Sequence, residues 1–242
     1  MKIDQLIFQT LGERAILISW EEKIEKNILQ EILQCRKIIQ KNYIELNVEV
    51  INTYNSLLIN YGLGIENIYG EISLLKALLV KTKLSKKIKT NHYVLPVCYE
   101  EQFALDLEEI CQHKNLTSEE FISLHTSTNY TLFFIGFLPG FLYLGGLPKT
   151  LQIPRKKTPR LNVKKGAVGI GEKQTGIYPQ NSAGGWQLIG NCPVTLFDPS
   201  QDSPSPFLPG DEVQFKSVSI KEHQEILRQV ELGAYQIQKL EK

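Results

Sequence analysis

NYTLFFIGFLPGFLYLGGLP, residues 129–148, decides how the second half of this chain folds. The stretch sets Phe133, Phe134, Phe137, Phe141 and Tyr143 around Gly136, Gly140, Gly145 and Gly146, and it carries no charge. A membrane span needs about 18 or more uninterrupted apolar residues, and Gly and Pro break this run well before that length. What remains is a buried core or the wall of a site. Short apolar runs separated by Gly/Pro turns, beginning near Tyr130, predict the strands of a β-barrel or sandwich. Residues 130–137 are expected to form one strand with Phe133 and Phe137 on a shared core face. Residues 138–147 are expected to form a loop whose Pro139, Gly140 and Phe141 face a ligand or a partner.

Upstream the texture is different. Residues 5–10 and 13–20 predict two short strands joined through Leu11 and Gly12, the second alternating apolar and polar positions. From residue 21 to about 40, Ile24, Ile28, Leu29, Ile32, Leu33 and Ile38 recur at helical spacing between Lys and Glu, which predicts an amphipathic helix. VEVINTYNSLLINY predicts two more strands turning at residues 52–55, and residues 65–82 a second helix. Strands, helix, strands, helix describes an α+β unit of ferredoxin-like character. KTKLSKKIKTNH, residues 81–92, is basic and poor in large apolar residues, so a boundary is placed there, with domains at 1–88 and 89–242. Beyond it HYVLPVCY predicts a strand and DLEEICQHKN a helix. Thr117 and Glu120 have the spacing of a capping box that starts a helix ending near His125. A terminal helix is expected over residues 221–238.

Composition excludes several classes of function. With 42% hydrophobic and 22% charged residues the chain has the make-up of a folded globular protein. A net charge of +1 provides no global field for nucleic acid, so no nucleic-acid partner is expected. No apolar run is long enough for a membrane span, and MKIDQLIFQT lacks the pattern of a signal peptide, so a cytoplasmic location is expected. Cys35, Cys98, Cys111 and Cys192 lack CxxC spacing and His partners, which predicts free thiols rather than a zinc site, and no metal site is assigned.

Charge is unevenly distributed. Residues 129–197 hold eight Lys and Arg against one acid, Glu172, a local +7 that leaves −6 for the rest, together with 11 of the 17 glycines. Cations beside glycine-exposed backbone amides suit an anion site; a solvated basic loop on a Gly-rich barrel is the competing reading. GxxxxGK[ST] and a GxGxxG after a strand are both absent, as are GxSxG and HExxH. His125, at a helix C-terminus, is either a favourable partner of the helix dipole or a proton-transfer group. QTGIYPQNSAGGW, residues 174–186, gathers Gln174, Thr175, Tyr178, Asn181, Ser182 and Trp186, a set suited to orienting a small polar ligand and equally to building turns.

As a set these motifs have a known likeness. GFLPGFLYLGGL (136–147), PRKKTPR (154–160), GAVGIGEKQTGIYPQNSAGGWQLIG (166–190) and PGDEVQF (209–215) resemble the allophanate hydrolase subunit 1, or KipI, family, whose bacterial members include the B component of 5-oxoprolinase. The resemblance covers most of residues 92–217. It implies a small α/β domain followed by a cyclophilin-like β-barrel, a KipA-type (allophanate hydrolase subunit 2) partner, a LamB/YcsF-type subunit, and ATP-dependent opening of 5-oxoproline to glutamate. Carried onto this sequence, it implies phosphate or carboxylate contacts from Arg155, Thr158 and Arg160. It also implies a substrate pocket lined by Gln174, Tyr178, Ser182, Gly184, Gly185, Trp186 and Gln187. His125 would move a proton, and Mg²⁺ bound with ATP would find its acidic ligands on a partner. Two other activities occur among similar proteins: inhibition of a sporulation histidine kinase, as in KipI itself, and a carboxyltransferase-like role in urea or allophanate metabolism. The sequence departs from the family pattern at Ala183, at Leu138 and Leu142, and at Asn191, where an Arg is usual; the last change puts phosphate binding by that turn in doubt.

Overall fold

Fully buried and less buried positions alternate along residues 16–19 and 56–60, and that alternation organises the first part of the molecule. The computed structural model describes residues 3–44, 48–81 and 90–240, in a chain that divides into two compact units, Met1–Lys89 and Thr90–Lys242. The boundary expected between 88 and 89 lies outside the described residues. In the first unit β1 (Ile7–Leu11) and β2 (Ala15–Ser19) form a hairpin through Gly12, whose φ of 62° suits glycine. α1 (Lys26–Asn42), β3 (Glu49–Asn52), β4 (Ser56–Asn60) and α2 (Ile68–Lys81) follow, and the antiparallel sheet runs β1-β2-β4-β3. β4 therefore lies between β2 and β3, which α1 connects.

That split β-α-β crossover is what a ferredoxin-like unit contains, but the element order is ββαββα rather than βαββαβ, so the expectation is met in part. Ile32, Cys35 and Ile39 of α1 and Leu75 and Leu79 of α2 fall at helical spacing and bury against Ile16, Ile18, Val50, Leu57 and Ile59 of the sheet.

The second unit is built on β5 (His92–Val97), β6 (Asn129–Ile135), β7 (Leu142–Gly145), β9 (Ala167–Gly171), β10 (Gln174–Ile177), β12 (Gln187–Asn191), β13 (Glu212–Ser217) and β14 (Gln238–Leu240). These form one eight-stranded sheet in the order β12-β9-β10-β7-β6-β13-β5-β14, and β8 (Arg160–Val163) pairs with β11 (Ser182–Gly184) as a separate ribbon. α3 (Leu107–Lys114), α4 (Ser118–Ser127) and α5 (Ile220–Glu231) complete it. The expected closed barrel is corrected to an open sheet. β14 occupies the edge of β5 at residues 92–94, and Cys98, just past β5, meets Asn191 in a single isolated bridge of two 2.9 Å main-chain hydrogen bonds. One bridge joins the two regions without a continuous ladder between them.

Local signals explain most of the elements. Thr117 and Glu120 make both halves of the capping box at α4, and Ser219 with Glu222 repeats the device at α5. The terminal helix ends at Glu231 rather than near 238: Gly233 adopts a φ of 69° and the chain returns as β14 along β5. Phe137 also departs from expectation. The strand stops at Ile135, and Phe137, with a φ of 64°, is 64% exposed and not part of a core face. Leu142–Gly145, expected as loop, is strand β7.

The main core of this unit lies on the inner face of the sheet and includes Tyr93, Leu95, Val97, Leu132, Leu144, Val168, Ile170, Ile177 and Phe215. His125 is within it. Its ring is fully buried, stacks on Phe215 at 4.7 Å, and has both nitrogens engaged: Nδ1 at 2.7 Å from the Tyr99 hydroxyl and Nε2 at 3.1 Å from Thr175 Oγ1. Thr175 Oγ1 donates its own proton to the Gly169 carbonyl at 3.0 Å, so Nε2–H is the donor to Thr175 and Nδ1 accepts from Tyr99. Burial pushes the imidazole pKa down to about 3. A neutral ring closed into a hydrogen-bonded chain and sealed from solvent is a core element, which removes the proton-transfer role expected of His125.

The sign of its pH effect follows. Between the unfolded value near 6.5 and the folded value of about 3, the unfolded chain binds the extra proton. Stability should therefore fall as pH drops below about 6.5, by up to roughly 1.4 kcal/mol per pH unit for this residue. His223, also lowered by burial, acts in the same direction. Denaturant titrations from pH 8 to pH 4 should show this loss, and His125→Gln, less stable at pH 7, should show a shallower one; an equal slope in the variant would refute the assignment.

Candidate functional site

The outer face of the same sheet carries a second, smaller core, and glycines create it. In β9 and β10 the residues Val168, Ile170 and Ile177 point into the main core, so the alternate positions Gly169, Gly171 and Gly176 face outward. Trp186 lies on that bare backbone. A Cβ at Gly171 would stand 2.7 Å from the indole Nε1, one at Gly176 3.0 Å from Cζ3, and one at Gly169 3.1 Å from the Trp186 Cβ. The glycines that suggested amides open to a ligand are therefore a seat for an aromatic ring.

Around Trp186 the other rings stand edge-on. Phe141 is 5.3 Å from it at 90°, Tyr143 5.8 Å at 77°, and Phe141 meets Tyr178 at 5.1 Å and 88°, the geometry in which ring quadrupoles attract. Val163, Ala167 and Leu188 complete the cluster. Phe141 reaches it because Gly140, at φ 87°, lets the loop pass Phe197, whose Cβ a side chain at 140 would approach to 2.5 Å. Pro139 stays exposed. Gly184 pairs with Arg160 across the β8–β11 ribbon, and a Cβ there would collide with the Tyr178 hydroxyl. Burial pushes the Tyr178 phenol up, against the opposing pull of a main-chain hydrogen bond from Trp186 and of Arg155 and Arg160; burial likewise raises Tyr143, opposed by Arg155. Both phenols are thus neutral donors near pH 7.

The basic loop runs along this cluster. The Arg155 guanidinium sits over the Trp186 ring, 5.7 Å from its centroid, and is otherwise exposed. The Lys156 amide donates to the Gly185 carbonyl at 2.7 Å, and Thr158 is exposed. Lys156 Nζ and Arg160 Nη2 both reach Asp106 Oδ1, at 2.9 and 2.6 Å, while Oδ2 accepts from the Leu188 amide at 2.6 Å. Burial alone would raise the Asp106 pKa, but Arg160, the Leu188 amide and Lys156 outweigh it and hold the carboxylate below its usual range. Gln187 accepts from Lys156 Nζ at 3.4 Å and donates to the Pro154 carbonyl at 3.1 Å, so it staples the loop rather than lining an open pocket.

Three polar atoms of this region are buried without a hydrogen-bond partner among the described residues: Arg160 Nη1, Ser182 Oγ and Gln174 Oε1. Each unsatisfied group costs about 1–3 kcal/mol. The residues expected to contact phosphate or substrate thus gather on one outer face, except His125 in the opposite core. Asp106 escapes the sequence reading. It holds the N-cap position of α3, but its side chain makes no capping bond and turns to the loop instead. Asn191, where the family pattern has Arg, bonds His223 Nε2 at 2.8 Å and the Lys165 carbonyl at 3.0 Å, and so ties α5 to the sheet. No group of three or more His, Cys, Asp or Glu side chains placed to hold a metal occurs among the described residues.

A mixed α/β protein with an open sheet, an aromatic outer core and a basic loop is the class defined here, and the chain belongs to the family described as carboxyltransferase domain, subdomain C and D, which matches residues 6–207. Three curated relatives carry a particular name, that of the B component of 5-oxoprolinase, and a fourth is the urea amidolyase of Lachancea kluyveri, 26% identical over 97% of this chain and 14% of that protein. The chain is 32% identical over 225 residues, 89% of its own length and 94% of the relative, to this component from Bacillus subtilis. It is 47% identical over 121 residues, 50% of this chain and 56% of the relative, to that of Escherichia coli. Among solved structures, the Kluyveromyces lactis urea carboxylase shares the fold, with a TM-score of 0.81 over 98% of this chain at 20% identity. Two of the solved chains are longer: this chain spans 24% of that carboxylase and 40% of another match at 28% identity.

Two substitutions test the packing of this face. Gly171→Ala should destabilise by about 1–3 kcal/mol through overpacking against Trp186, with a change in tryptophan fluorescence. Ser182→Ala should leave stability unchanged or raised by up to about 1 kcal/mol, because the hydroxyl it deletes is buried and unpaired. Melting temperatures check both, and a stable Gly171→Ala would remove the glycine seat as an explanation.

Proposed function

We propose that this chain is the B component of an ATP-dependent 5-oxoprolinase, acting in the cytoplasm with KipA-type and LamB/YcsF-type subunits and inactive without them. The observation that carries the reading is the pairing, on one loop, of an exposed Arg155 laid over Trp186 with Lys156 and Arg160 held beside it. The relatives' shared name supports the hydrolase class.

The chemistry needs such a face. A lactam carbonyl is a weak electrophile. Transfer of the ATP γ-phosphoryl group to its oxygen makes that oxygen a leaving group; one water attacks the carbon and the C–N bond breaks, the released amine taking up a proton and leaving an acyl phosphate, from which a second water displaces phosphate to give glutamate. Negative charge accumulates on phosphate oxygens throughout, and guanidinium groups match those oxygens with paired N–H donors. In this reading Arg155 and Arg160 hold phosphate or the substrate carboxylate, and Tyr178, Ser182 and Gln174 supply neutral hydrogen bonds. Trp186, with Gly184 and Gly185 beside it, shapes the wall. The catalytic base belongs to a partner.

A second reading, carboxyl transfer in urea or allophanate metabolism, is favoured by the carboxyltransferase family match. A carrier protein bearing carboxybiotin separates the two, since only the carboxyl-transfer reading predicts that its carboxyl group moves to urea and leaves free biotin on the carrier.

Purified alone, the chain should release no glutamate from 5-oxoproline and ATP; with both partner subunits it should. Arg155→Ala should lower kcat/KM of the reconstituted enzyme about tenfold. The same variant should lose only about 0.5–1 kcal/mol of stability, the worth of an exposed cation–π contact. An inactive complete mixture would refute the reading, and full activity in Arg155→Ala would return the loop to a solvated surface.

A further inference from the structure

We propose that Asp106 is a positioning residue for anion binding, an acid buried beside a basic face in order to hold two of its cations in place. The inference rests on the reading of residues 154–160 as the loop that takes phosphate or carboxylate.

The geometry has two sides. Toward the sheet, Asp106 is anchored by its backbone and side chain to one residue: its amide donates to the Leu188 carbonyl at 2.9 Å, and its Oδ2 accepts from the Leu188 amide at 2.6 Å. Toward the loop, Oδ1 takes Lys156 Nζ at 2.9 Å and Arg160 Nη2 at 2.6 Å. Asp106 itself is 2% exposed, whereas the Lys156 and Arg160 side chains keep 26% and 25% of their surface. The carboxylate is thus fixed to a strand and sealed, and the cations it grips remain at the surface.

Lys and Arg side chains each carry about 2 kcal/mol of rotamer freedom, which an anion would otherwise have to remove on binding. Asp106 removes much of it beforehand, the usual way in which preorganisation strengthens binding. Two cations against one carboxylate leave a net positive charge, to which Arg155 adds a second. Arg160 uses Nη2 on Asp106, and its Nη1 has no partner among the described residues.

A bystander and a positioning residue predict opposite signs. Asp106 carries negative charge next to where the anion would sit, so through-space electrostatics alone predicts that Asp106→Asn tightens anion binding. Positioning predicts weaker binding despite the added positive charge. The test is the reconstituted enzyme, with KM for ATP and for 5-oxoproline measured for wild type, Asp106→Asn, Arg160→Lys and the double variant. Asp106→Asn should raise KM for one of the two substrates about five- to tenfold while kcat changes less than about twofold, the split expected when ground-state and transition-state binding are lost together. Arg160→Lys keeps the charge and should raise the same KM. The double variant should be no worse than the more affected single variant, because both break one contact. An unchanged or lowered KM in Asp106→Asn, or additive effects in the double variant, would overturn the proposal. If Asp106→Asn does not fold, the comparison of Arg160→Lys with Arg160→Ala decides, since a charge-only role predicts that Lys restores wild-type KM. Full activity in both Arg155→Ala and Arg160→Ala is a different outcome, which refutes the basic loop as a binding face whatever Asp106 does.

Discussion

The seating of Trp186 on bare backbone is the contact on which the second unit's outer face depends. A sheet has two faces, and each must be covered or solvated. Here the inner face is filled by Val, Ile, Leu and Phe in the usual way, and the outer face is filled by removing side chains from β9 and β10 so that one large ring can lie flat. Everything beyond follows from that choice. Phe141, Tyr143 and Tyr178 pack edge-on to the indole or to one another, and Gly184 leaves room for the Tyr178 hydroxyl under the β8–β11 ribbon. The indole in turn offers its π-face to Arg155. The aromatic cluster is the floor beneath the basic loop.

Charge then settles how that loop lies. Residues 154–160 hold four cations, and an unsupported segment of that kind would repel itself and extend into solvent. Four attachments oppose this: Arg155 on Trp186, the Lys156 amide on the Gly185 carbonyl, the Gln187 side chain on Lys156 Nζ and the Pro154 carbonyl, and the pair Lys156 and Arg160 on Asp106. Only the last is ionic, and it is largely out of water, where removing one partner would leave a charge uncompensated. The loop is therefore ordered by aromatic, main-chain and amide contacts to the consecutive residues 185–187 and by an electrostatic contact to Asp106 at the start of α3.

Much of this is legible in the sequence, and the parts that are not share a cause. Local patterns translate well: the hairpin at Gly12, the amphipathic spacing of α1, the capping box at Thr117, and the basic, Gly-rich character of residues 129–197 all depend on neighbours within a few residues. What fails depends on partners far along the chain. His125 reads as a helix-end histidine because its position on α4 is visible, while Tyr99, Thr175 and Phe215, which enclose it, lie 26, 50 and 90 residues away. Asp106 goes unremarked at the start of DLEEI because its cations lie 50 and 54 residues on. The alternating glycines of GAVGIG suggest amides open to a ligand, yet a period of two with glycine on one face of a strand is equally a sign of a large group packing there, and the following Trp186 is the residue that fills it. The closed barrel fails for a similar reason, since the strand texture beyond Tyr130 is readable but the return of residues 238–240 along β5 is not.

Phe137 marks the limit of reading function from strain. A non-glycine residue at a φ of 64° costs of order 1 kcal/mol or more, and an exposed Phe offsets none of it by burial. The loop around it is tightly closed, with Gly136 N donating to the Phe141 carbonyl at 3.3 Å, Leu138 N to the Gly136 carbonyl at 2.8 Å, and Phe141 N to the Leu138 carbonyl at 3.0 Å. Those bonds reverse the chain within six residues, and the reversal delivers Phe141 into the cluster on Trp186, where full burial of a Phe is worth about 1.5–3 kcal/mol. The strain at 137 and the packing at 141 are two ends of one turn. Its backbone conformation is accounted for by what it does for Phe141, and the exposed ring that results extends the aromatic surface beside the basic loop, 5.9 Å from Phe141 and edge-on to it.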